Sequence, residues 1–143
     1  EVALIEGNPE RIRTFFDNAL ARRLAEGEPW MAIVRDIVAA LPENVWISFD
    51  VDGMDPSWCP ATGTPVPGGL TFADATAVIA AVVGSGRRIV GFDLVEVAPG
   101  PDGDEWDANV GARLLHKMLG YALAAPPKGY DTFAALVRLA RAL

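Results

Sequence analysis

The chain has 143 residues, of which 51% are hydrophobic and 22% charged, and it carries a formal net charge of −7. That length and composition suit one globular domain with a sizeable core, and the acidic balance argues against nucleic acid or an anionic membrane surface as partner. Cys59 is the single cysteine, so an internal disulfide is excluded and a reducing, cytoplasmic setting is expected; no charged-then-apolar leader or 18-residue apolar run signals export or a membrane span.

Asn8-Pro9 has the form of a helix start, and Ile12, Phe15, Phe16, Ala19, Leu20 and Leu24 follow at helical spacing until Gly27. A second helix follows Pro29, with Trp30, Ile33, Val34, Ile37, Val38 and Leu41 on one face. Val45 to Asp52 reads as the first strand. Thr71 and Asp74 form a variant capping box that opens a third helix, whose stripe is Ala75, Val78, Ile79, Val82 and Val83. Arg88 to Val97 reads as the second strand, Glu105 to Leu123 as a fourth helix, Ala124 to Gly129 as a linker, and Asp131 onward as a short fifth helix. The strand–helix–strand centre predicts a parallel pair with helices covering it, and strands this rich in Val, Ile, Phe and Leu predict burial on both faces. Two strands and four or five helices do not complete an α/β domain. Either another chain completes the sheet or further strands precede Glu1; with no methionine at its start, the chain is expected to be a piece of a longer protein, the second of these.

The stretch VWISFDVDGMDPSWCPATGTPVPGG concentrates the chemistry. In open parallel sheets ligands bind at the carboxyl ends of the strands, where Asp50 and Asp52 fall on the first strand and Asp93 and Glu96 on the second. A strand through Asp52 would put Asp50 and Asp52 on one face, and carboxylates are rarely buried unless paired or bound to metal. Asp50, Asp52 and Glu96 are expected to converge into an oxygen-donor cluster for magnesium or manganese. The ordinary alternatives are turn capping for a lone strand-end Asp, a turn role for Asp55, a structural hydrogen bond for Asp93, packing for Cys59 and a helix-surface position for His116. Trp30, Trp46 and Trp106 read as core or interface residues, and Trp58 as a loop aromatic that could be a binding platform.

SFDVDGMDP with TGTPVPGGL, followed by GFDLVEVAP, resembles the ureohydrolase family of arginases and agmatinases over about Val45 to Leu123. The resemblance implies an arginase-like three-layer α/β/α fold with a parallel sheet, present here as a C-terminal part of one domain spanning residues 1–143. It also implies a binuclear Mn2+ centre and hydrolysis of a guanidino group to urea and an amine. Asp50 then matches a metal-bridging catalytic ligand and Asp52 a ligand to one ion. Glu96 matches the catalytic residue facing the guanidinium, and Thr64 joins it in substrate binding. The family's Gly-Gly-Asp-His and Asp-Ala-His-x-Asp segments have no counterpart here, and Ala61 stands where the family has Gly. The implied partners are a small cationic guanidino substrate and further copies of the parent enzyme in a homo-oligomer. EVAPGPDGDEWDANVGARLL is closer to agmatinase or formimidoylglutamase-like sequences than to animal arginases. The alternatives are a non-catalytic assembly module, which the absent ligand segments favour, and a haloacid-dehalogenase-type phosphatase. Asp50-Val51-Asp52-Gly53 fits the latter only superficially, since Met54 and a proline-rich loop follow.

Overall fold

A computed structural model describes residues 2–123. The expected linker at 124–129 and the helix from Asp131 lie outside these residues. The chain divides into two compact units, with the boundary between Leu41 and Pro42.

The first unit holds α1 (Val2–Glu6), α2 (Asp17–Ala25) and α3 (Trp30–Ala39). The long helix expected from Pro9 is not there. Asn8 and Pro9 close a single turn, in which the Arg11 and Ile12 amides donate to the Asn8 carbonyl at 3.0 and 2.9 Å, and the chain then runs without regular structure to Phe16, whose backbone is extended. Thr14, Phe15 and Phe16 are poor helix formers, which explains why that turn does not propagate. The helix begins only at Asp17, and it carries Asp17 in its first turn and Arg22 and Arg23 in its last, as the macrodipole favours. Gly27 follows with φ 90°, the left-handed stop expected of it. Arg23 grips Glu28 with two hydrogen bonds of 2.6 and 2.7 Å and also reaches Asp36 at 2.5 Å, tying the start and middle of α3's surroundings to the end of α2. In α3, Ile33, Val34 and Val38 are buried, three of the residues on the predicted face.

The second unit is organised around β1 (Asn44–Asp50), α4 (Phe72–Gly84), β2 (Arg88–Val95) and α5 (Trp106–Leu123). The strands pair in parallel as expected, in a register running from Asn44 opposite Arg88 to Asp50 opposite Val95, with a shift between Val45 and Trp46. Both strands stop short of their predicted ends. A single 3-10 turn takes over at Val51–Gly53, and Glu96 ends β2 by adopting φ 63°.

Val51, Met54, Cys59, Val110 and Leu114 form the buried cluster under the strand ends, with Phe49, Trp58, Phe72 and Leu94 packed against it. Trp58 is thus a packing residue, its ring 5.8 Å from that of Phe72. The opposite side of the strands does not show the expected burial: Trp46 is 62% exposed, and Ser48 and Asp50 are also exposed. Apolar strand composition alone cannot say which face is covered, because that depends on elements beyond the strand. Trp106 is likewise about half exposed, so neither tryptophan is a core residue.

The capping box is present as predicted. The Asp74 amide donates to Thr71 Oγ1 at 3.1 Å, and the Thr71 amide donates to the Asp74 carboxylate at 3.3 Å. No helix among the described residues is long and apolar enough to cross a membrane. Thr71→Ala should lower unfolding stability by about 1 kcal/mol through loss of this cap. The check is the urea midpoint, with an unchanged slope.

Candidate metal and substrate site

The site grows out of the way β1 ends. Asp50 is the last strand residue, and its Oδ1 accepts a hydrogen bond from the Asp52 amide at 2.9 Å, capping the turn Val51–Gly53. This is the ordinary role of a strand-end Asp. It also corrects the expectation that Asp50 and Asp52 alternate along one strand: the backbone has left the extended conformation before Asp52. The two carboxylates are neighbours through a turn and not through a pleat.

A long loop then leaves and returns. The Asp55 amide donates to the Leu70 carbonyl at 3.0 Å and the Leu70 amide to the Gly53 carbonyl at 2.9 Å, so the segment between is closed at its base. Gly69 is required for that closure, because a Cβ there would lie 2.3 Å from the Met54 carbonyl carbon. Asp55 is the turn residue expected of it. It accepts from the Ser57 hydroxyl at 2.6 Å and from the Ser57 amide at 3.0 Å, and these bonds hold its carboxyl below the usual range.

The closed loop delivers two threonines to Asp52. The Thr62 hydroxyl contacts Asp52 Oδ1 and the Thr64 hydroxyl contacts Oδ2. These two contacts, Thr62's first, lower the Asp52 pKa against the opposing effect of burial. The Thr62 hydroxyl also lies 2.9 Å from the Glu96 carbonyl, so it joins the end of β1 to the end of β2. One hydroxyl proton serves only one of these acceptors at a time. Glu96 itself is exposed, and a Cβ at Gly63 would lie 3.6 Å from its Oε2, so the Thr62–Thr64 segment runs beside the Glu96 carboxylate.

Asp93 stays apart from this group. It accepts from Trp46 Nε1 at 2.8 Å and Ser48 Oγ at 2.7 Å across the strand pair, which lowers its pKa and makes it structural, as expected. His116 is on the exposed surface of α5. Cys59 is 1% exposed, and burial first, then the charges of Asp107 and Asp52, push its thiol up to about 11.

Sequence reasoning missed two residues here. Thr62 is 6% exposed and Asp107 only 2%, and Asp107 Oδ2 accepts from the Ala61 amide at 2.9 Å. A buried Asp in the first turn of a helix looks in sequence like an ordinary macrodipole residue, and its loop partner is 46 positions away. Only an acid at a position facing the core of α5 could have signalled it.

Carboxylate and hydroxyl oxygens suit a hard divalent cation in kind. They fall short in number, since among the described residues no group of three His, Cys, Asp or Glu side chains is placed to hold one. Asp50, Asp52 and Glu96 therefore share one end of the sheet without forming the three-carboxylate cluster that was expected. The Asp52 oxygens are instead taken up by hydroxyls.

Comparison with solved structures defines the fold. The chain superposes on an arginase from Bacillus subtilis over 84% of its length and 40% of that chain, with TM-score 0.68 and 23% identity, a likeness of fold alone. A hypothetical agmatinase from Burkholderia thailandensis matches 77% of the chain and 36% of its own, with TM-score 0.58 and 33% identity. Among relatives by sequence, the guanidinobutyrase of Pseudomonas aeruginosa is 47% identical over 92 residues, which is 64% of this chain and 28% of that protein. The agmatinase of Chromobacterium violaceum is 39% identical over 115 residues, which is 76% of this chain and 35% of that protein. The sequence pattern of the arginase family matches residues 11–120, and the chain belongs to that family. It spans roughly a third of the length of the curated relatives it matches.

Because its folded pKa is lowered, Asp52 adds stability above its unfolded pKa, and that stability is lost as pH falls through the folded value. Thr62→Val should move the Asp52 midpoint up toward the ordinary carboxylate value, followed by carbon-13 NMR titration of the side-chain carboxyl. An unmoved midpoint would remove Thr62 as the cause. Cys59 should resist a disulfide reagent such as DTNB at about pH 8 in the folded chain and react fully in urea, because buried protonated thiols are inert.

Proposed function

We propose that this chain carries the strand-end part of a binuclear manganese site in an enzyme that hydrolyses a guanidino group to urea and an amine. The observation that carries the reading is the meeting of Asp52, Thr62, Thr64 and Glu96 where two parallel strands end, in a chain whose relatives include a guanidinobutyrase and agmatinases. Asp50 and Asp52 would hold the ions through their carboxylate oxygens. When bound, such an ion pair lowers the pKa of water and acts as a Lewis acid toward the planar carbon.

Glu96 does what a carboxylate does best beside a guanidinium, holding it by paired charge-assisted hydrogen bonds, with Thr64 alongside. A flat cation needs a flat acceptor. The substrate is accordingly a small ω-guanidino compound of the agmatine or guanidinobutyrate type. Further ligands come from segments outside this chain, in a parent enzyme that assembles from several copies and works in the cytoplasm.

The specific observation favouring a non-catalytic role for the chain on its own is the shortage of ligands among the described residues. The isolated 143-residue chain should therefore bind Mn2+ weakly, lose that binding in the Asp50→Asn, Asp52→Asn double variant, and release no urea. Electron paramagnetic resonance follows the ion, and a colorimetric assay with agmatine and guanidinobutyrate follows urea. Urea release above the metal-free blank would refute the claim that the chain is insufficient. Mn2+ binding indifferent to both aspartates would sink the site itself.

A further inference from the structure

The part of the site not yet accounted for is a buried charge. Asp107 lies in the first turn of α5, is 2% exposed, and sits beside the cluster of Val51, Met54, Cys59, Val110 and Leu114. Burying a carboxylate in such surroundings is costly unless it is hydrogen-bonded, and an apolar residue would serve α5 better as packing. What the carboxylate gains there is the main-chain amide of Ala61, at 2.9 Å from Oδ2. A charged acceptor makes this bond stronger than one between neutral groups.

The position of that amide matters. Ala61 directly precedes Thr62, and one peptide unit transmits any displacement of the first residue to the second. Thr62 is the residue whose hydroxyl touches Asp52 Oδ1 and lies 2.9 Å from the Glu96 carbonyl. The loop is also anchored at its base, between Gly53, Asp55 and Leu70, and at Thr64, whose hydroxyl contacts Asp52 Oδ2; the Asp107 bond acts on the peptide unit directly before Thr62. From the helix to the metal-site carboxylate the linkage is therefore Asp107, Ala61, Thr62, Asp52.

We propose that Asp107 is a positioning residue: through the Ala61 amide it holds Thr62 against Asp52 and so fixes the orientation of that carboxylate for metal. The inference rests on the reading of Asp52 as a metal ligand. It adds a contributor from α5, an element that supplies no ligand.

The test uses the full chain with Asp107→Ala, which removes the acceptor, and Asp107→Asn, whose side-chain oxygen can still accept from Ala61. Asp107→Leu, which also lacks an acceptor and fills the buried position, replaces the alanine variant if the latter does not fold. In the metal-free chain, Asp107→Ala should shift the Asp52 carboxyl carbon resonance and accelerate amide hydrogen exchange at Ala61 and Thr62 roughly tenfold or more, with Asp107→Asn close to wild type. With Mn2+ added at a temperature where all variants are folded, affinity should fall by roughly tenfold in Asp107→Ala and be restored in Asp107→Asn. Lowered thermal stability with unchanged Asp52 resonance, exchange and Mn2+ affinity would overturn the proposal and leave Asp107 a residue of α5 alone. A wild-type chain that takes up no Mn2+ would instead defeat the reading of the site. The metal-free Asp52 resonance would then still decide whether Asp107 positions that carboxylate.

Discussion

The contact on which the candidate site depends is that of the Thr62 hydroxyl with Asp52 on one side and the Glu96 carbonyl on the other. Two parallel strands that end side by side leave their last residues free to splay, because ladder hydrogen bonding stops with the strand. A buried hydroxyl between the two ends replaces the missing ladder. It does so with a side chain delivered from neither strand, which is why the long loop has to be closed so firmly at Gly53 and Leu70. The close approach at Gly69 and the turn at Asp55 belong to the same requirement. The loop is less a lid than a strut.

Much of the second unit could be read from local chemistry. The capping box at Thr71 and Asp74 opens α4 where the residues say it should, and the parallel pairing of β1 with β2 follows from a helix standing between two apolar runs. Asp55 and Asp93 make the structural bonds their positions suggest. In each case the decisive partner is within a few residues or directly across the register. The SFDVDGMDP and TGTPVPGGL motifs located the family for the same reason, being contiguous.

What could not be read is tertiary in origin. Asp50 and Asp52 have the spacing of a strand face, yet the chain turns between them, because the Asp52 amide finds the Asp50 carboxylate in place of a ladder partner. Pro9 and the apolar spacing that follows have the period of a helix. Thr14, Phe15 and Phe16 nevertheless stay out of the helix, since periodicity does not outweigh poor intrinsic propensity where a turn is not reinforced by packing. Trp46 and Asp107 show the converse. A large indole lies in the open, and an acid is sealed beside the core, each because of neighbours far along the chain.

The backbone of Glu96 carries a consequence of its own. At φ 63° it occupies the left-handed region, where an L-residue with a long side chain is strained by roughly 1–2 kcal/mol and glycine is at ease. Replacement by glycine would relax the end of β2 while deleting an exposed carboxylate. Selection for thermostability alone would thus push this position toward a residue without the carboxylate that the proposed function requires. A library screened for robustness is expected to lose the carboxylate here first, making tolerance at position 96 a gauge of whether chemistry or folding has been under pressure.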